Sequence, residues 1–167
     1  MPSRYDLRLE PDLTTLAFTG EETIAITVAE PTETIALNAV ELDITKATVD
    51  NERGDSLAAV ATMDAATERA VLTFDRAIAP GAWRLRIHFT GILNDKLRGF
   101  YRSTYKDAGG ATHTMAATQF EATDARRAFP CWDEPAFKAV FATTLVIDPA
   151  LTAVSNTRIA SETREGG

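Results

Sequence analysis

Apolar and polar side chains alternate without a break between residues 83 and 90: Trp83, Leu85, Ile87 and Phe89 against Arg84, Arg86, His88 and Thr90. Strand side chains point to opposite faces with period two, so this pattern predicts a strand with one buried face. Residues 16–28 repeat it, with Ile24, Ile26 and Val28 opposite Thr23, Ala25 and Thr27. Shorter alternations at 5–9, 34–37 and 44–49 predict further strands. Pro11 with Asp12, Pro31, residues 51–54 and the Pro80-Gly81 pair supply turns between them. Residues 97–105 and 111–118 read as a hairpin closed by a turn at 107–110. Residues 137–147 alternate again, with Phe137, Phe141, Leu145 and Ile147 on one face, and 151–156 read as a last strand after Asp148-Pro149. Only residues 56–70 resist the pattern: they are rich in alanine and favour helix by propensity, yet carry no apolar stripe at helical spacing. Many short strands with frequent turns and hardly any helix predict an all-β fold, an antiparallel β-sandwich.

The length, 167 residues, fits one domain with a sizeable core, spanning 1–167. The net charge of −7 argues against nucleic acid as a partner, since phosphate binding needs a basic patch. The single cysteine allows no intrachain disulfide. No secretory leader is visible at the start, and no apolar run approaches the ~20 residues of a membrane helix. A cytoplasmic protein that engages no membrane is the expectation.

Chemistry-bearing residues concentrate in 118–135, which holds the only cysteine and one of the two tryptophans. Pro130 and Pro135 each disfavour helix at the preceding residue. If the strand ending near Thr118 runs on to Glu121, then Gln119 and Glu121 share a face. An amide beside a carboxylate at a strand end can hold a cationic or peptide-like ligand; it can equally be a solvated rim. Asp124, Arg126, Arg127, Asp133 and Glu134 read as a local ion-pair network that braces the turns at the two prolines. Cys131, between Pro130 and Trp132, reads as a buried small side chain, with a nucleophile paired to His88 or His113 as the alternative. These are the only histidines; neither belongs to a His-Glu-x-x-His motif, and no metal site is expected in this chain.

The stretch TQFEATDARRAFPCWDEPAFKAVF at 118–141 resembles a segment of the zinc-dependent aminopeptidases of the aminopeptidase N type, the gluzincin aminopeptidases, where it lies in the N-terminal β domain. GILNDKLRGFYRSTY at 91–105, RYDLRLEPD at 4–12 and, more weakly, AVSNTRIASE at 153–162 match in the same order. The resemblance implies a saddle-like β domain. It also favours a hairpin in the ambiguous region, with strands at 58–63 and 69–74 and a loop at 64–67. It implies that Glu121 helps bind the free α-ammonium group of a peptide substrate and that Gln119 lines the same pocket. Asp124, Arg126, Arg127, Pro130, Cys131, Trp132, Asp133, Glu134 and Pro135 would then be structural around that site.

The family's zinc helix, its Gly-x-Met-Glu-Asn exopeptidase segment and its transition-state tyrosine have no counterpart in 1–167. The resemblance therefore implies an N-terminal β domain, truncated near its C-terminal end and inactive alone. In the parent enzyme, zinc and a catalytic domain would complete the site and peptides would be the substrates. A stand-alone β-sandwich that binds a partner remains the alternative.

Overall fold

The computed structural model describes residues 1–164. Its strands are β1 (Pro2–Asp12), β2 (Ala17–Val28), β3 (Thr32–Asn38), β4 (Leu42–Asp50), β5 (Ser56–Asp64), β6 (Arg69–Ile78), β7 (Gly81–Ile92), β8 (Gly99–Lys106), β9 (Thr112–Gln119) and β10 (Val140–Leu145). Eight of them form one sheet in the order β10-β1-β2-β7-β4-β5-β6-β3, while β8 and β9 pair only with each other. A 3₁₀ turn at Ala125–Arg127 is the only helical element among the described residues.

The alternation along β7 places Trp83, Leu85, Ile87 and Phe89 in the core and leaves Arg84, Arg86 and His88 outside. β2 pairs with β7 along its whole length, which fixes the register that buries Ile24 and Ile26 on the same side. The β4–β5 pairing is short, Ala47–Asp50 with Ser56–Ala59. Beyond it the sheet continues through β6 to β3, whose Ile35 and Leu37 join Leu72 and Phe74 of β6 in the same core as Leu7, Ile24, Leu85 and Phe89. Burial of side chains of this size contributes about 1.5–3 kcal/mol each before chain entropy is subtracted.

The ambiguous alanine-rich region is a hairpin, β5 and β6. Its turn is held by Asp64, whose Oδ1 accepts from the backbone N–H groups of Ala66 and Thr67 and whose Oδ2 accepts from the Thr67 hydroxyl at 2.7 Å. Local side-chain bonding of this kind competes with helix and overrides propensity.

Other local expectations are corrected. Pro11 and Asp12 do not turn the chain; β1 runs through them, paired with Phe18 and Ala17, and Asp12 instead caps the following turn by accepting from Thr14 at 2.7 Å. Residues 151–156 form no strand. Their apolar residues, Leu151, Ala153 and Val154, fall on both faces, Leu151 and Val154 stay exposed, and no strand among the described residues pairs with them. Within 137–147 only Val140–Leu145 is strand, and Phe141 and Leu145 are not buried. The fold is all-β as expected, and its strand pairs are antiparallel except that β10 joins β1 in parallel. Parallel addition becomes possible because the long excursion through all the other strands brings the chain back to the β1 edge.

Candidate functional site

β9 ends at Gln119, whose register partner is Gly99 at the start of β8. The extended state does not reach Glu121: residues 121–124 form a turn, closed by the Asp124 N–H donating to the Phe120 carbonyl at 2.9 Å. Phe120, itself at the surface, lies between the two polar residues. Its ring meets Phe129 edge to face at 5.9 Å, and Phe129 is buried against Tyr5. Gln119 and Glu121, on either side of that anchor, are both exposed. Neither side chain makes a hydrogen bond or an ion pair among the described residues.

The arginines behave differently. The Arg126 side chain is 12% exposed and its guanidinium reaches Asp133 at 3.0 Å and Glu68 at 2.9 Å. Arg127, at 9% exposed, reaches Asp124 at 2.8 Å and Glu68 at 3.7 Å. Its Nη1 lies 3.1 Å from Glu41 Oε2, an ion pair without the alignment of a hydrogen bond. A hydrogen bond from Lys96, and beyond it the charge of Arg127, hold the Glu41 carboxyl below its usual range despite partial burial. Glu134 and Pro135 are exposed, and Glu134 forms no ion pair among the described residues.

Backbone contacts fasten the same segment to the end of β3. Asn38 and Cys131 exchange N–H···O bonds at 2.7 and 3.0 Å. The Asp133 N–H donates to Asn38 Oδ1 at 3.2 Å, and the Val40 N–H donates to the Arg126 carbonyl at 2.9 Å. Glu41, Glu68 and Asn38 are the site-bracing residues that local sequence reading did not single out. Glu41 and Glu68 lie far along the chain in turns, with left-handed backbone at φ 58° and 56°. No sequence pattern marks those conformations for glutamate.

Cys131 is buried, and that burial pushes its thiol well above the ordinary range, with the carboxylates of Asp133 and Glu22 adding to the effect. A thiol held protonated is no nucleophile. The two histidines face carboxylates instead: His88 lies 3.6 Å from Glu21 and His113 2.8 Å from Asp107. The nucleophile alternative for Cys131 therefore has no base and no thiolate. Among the described residues no group of three or more His, Cys, Asp or Glu is placed to hold a metal ion.

Across residues 1–167 the sequence matches the profile of the Peptidase M1 N-terminal domain. The chain belongs to that family. It is 46% identical over 166 residues to aminopeptidase M1-C of Oryza sativa subsp. japonica, covering 99% of this chain and 18% of that protein. It is 44% identical over 170 residues to aminopeptidase M1 of Arabidopsis thaliana, covering 99% of this chain and 19% of the relative. With the puromycin-sensitive aminopeptidase of Caenorhabditis elegans it shares 40% over 163 residues, 97% of this chain and 17% of the relative. This Peptidase M1 N-terminal domain thus spans less than a fifth of the length of those aminopeptidases. The resemblance drawn from the four sequence stretches is borne out over nearly the whole chain. No helix among the described residues is long and apolar enough to cross a membrane.

Proposed function

We propose that residues 1–167 form one N-terminal domain that borders the substrate cleft of a zinc-dependent aminopeptidase, and that Glu121 binds the free α-ammonium group of the peptide with Gln119 alongside. The single observation that carries this reading is a contrast within one segment. Every arginine of 118–135 is paired and largely buried, whereas Gln119 and Glu121 are exposed at the end of a hairpin with no protein partner among the described residues. An unpaired carboxylate next to an amide acceptor suits a cationic amine. Its bond to ammonium is charge-assisted, strengthens where water is excluded, and fixes the first residue of the peptide relative to the bond to be cut.

The residues of this domain do not fit a zinc site, since no suitable donor cluster exists among those described. Zinc, its ligands and the general base therefore belong, on this reading, to a catalytic domain in the remainder of the longer protein. Peptides with a free N-terminus are the proposed substrates, and that catalytic domain is the proposed partner surface.

Steady-state kinetics of Glu121→Gln in the full-length enzyme test the reading. Loss of one charge-assisted bond worth about 1.5–3 kcal/mol lowers kcat/KM roughly 10- to 100-fold for amine-bearing substrates. Unchanged kcat/KM would remove Glu121 from the site.

A further inference from the structure

Arg127 occupies the joint between the two halves of the candidate site. On one side its guanidinium holds Asp124 at 2.8 Å, and the Asp124 N–H closes the turn that begins at Glu121 by bonding the Phe120 carbonyl. On the other side the Arg127 Cβ lies against Gly99. A Cβ on Gly99 would sit 2.4 Å from it, and Gly99 also has left-handed backbone at φ 68°. Gly99 is the register partner of Gln119. One largely buried side chain thus touches the hairpin that presents Gln119 and the turn that presents Glu121.

The joint is fixed from outside as well. Glu41 and Glu68, each on a left-handed backbone, supply two further carboxylates to the same guanidinium. Unfavourable backbone for a non-glycine residue persists only where the surroundings over-determine it, and such positions cluster at functional sites. A guanidinium is suited to this task, because its planar fork can satisfy several carboxylates in fixed directions, which an ammonium cannot.

We propose that Arg127 is a positioning residue: it sets the separation and orientation of Gln119 and Glu121 through Gly99 and Asp124, and it does not itself touch the substrate. This rests on the reading of Glu121 as the amine anchor. It adds a specific dependence, namely that removing Arg127 costs turnover mainly while the Glu121 carboxylate is present.

The test is a double-mutant cycle in the full-length enzyme, using Glu121→Gln, Arg127→Ala and the two combined, with kcat and KM measured separately on an amine-bearing dipeptide substrate. The expected result is that Arg127→Ala lowers kcat/KM at least about threefold in the native background and changes it by less than about twofold in the Glu121→Gln background. Arg127→Lys keeps the charge but not the fork, so it recovers only part of the loss. Asp124→Asn keeps the volume and removes one partner; it carries the same cycle if Arg127→Ala does not fold. Equal losses in both backgrounds, or no loss in the native one, overturn the positioning role. If Glu121→Gln alone leaves kcat/KM unchanged, the anchor reading falls and the positioning role falls with it, and that arm identifies the failure by itself.

Discussion

Glu22 points into the core. It is 3% exposed, stands on the face of β2 that carries Phe18, Ile24 and Ile26, and neither carboxyl oxygen has a hydrogen-bond partner among the described residues. Burial raises its pKa well above the ordinary value of 4.5, so the folded protein holds it protonated where the unfolded chain would release the proton. The sign follows from linkage. The folded state binds more protons than the unfolded one, so stability is greatest below about 4.5 and falls as pH rises towards the folded pKa. Within that window each pH unit removes about 1.4 kcal/mol. For a domain of this size, 1 kcal/mol corresponds to a shift in Tm of about 2–4 °C. Tyr5 and Cys131 lie near enough for a charge on Glu22 to raise both, yet their ordinary values are 10.0 and 9.0 and burial raises them further. They stay neutral between pH 5 and 8, and Glu22 can be read in isolation there from its two buried neighbours. Denaturant midpoints at pH 5, 6, 7 and 8 for the native protein and for Glu22→Gln supply the assay. The native protein should lose stability relative to Glu22→Gln with rising pH. Glu22→Val, which removes the unpartnered group, should be the more stable by about 1–3 kcal/mol at the alkaline end. A native-minus-Gln difference that stays flat across the range would refute a carboxyl buried without a partner.

Other consequences can be checked on the same protein. Leu72→Ala, at a fully buried position on β6, should cost about 2–5 kcal/mol in denaturant unfolding. Phe141 is half exposed but stacks on Tyr5 with centroids 4.7 Å apart, so Phe141→Ala should cost about 0.5–1.5 kcal/mol beyond its small area term, measured as a cycle with Tyr5→Leu. Cys131 should resist an aromatic disulfide reagent at pH 8 in the native state and react at once in denaturant. Rapid native labelling would contradict its burial.

Much of this fold can be read from the chain. Period two along 83–90 and 16–28 places the buried faces of β7 and β2, and it also puts Glu22 inward, since Glu22 shares parity with Ile24 and Ile26. What escapes is whatever depends on a distant partner. Residues 140–145 become strand because β1 offers an edge, while 151–156 find none among the described residues. The alanine-rich hairpin defies propensity because Asp64 locks its turn. At the site the arginines and acids of 124–133 are visible as a cluster. Their strongest outside partners, Glu41 and Glu68, are not, because left-handed glutamates in remote turns leave no local pattern.

The most direct test of the central claim is a structure of the full-length enzyme with a peptide-like ligand that carries a free α-amine. The account predicts the Glu121 carboxylate within about 2.6–3.2 Å of the ammonium nitrogen, with the Gln119 amide beside it. An ammonium bound by other groups, with Glu121 still facing solvent, would contradict it.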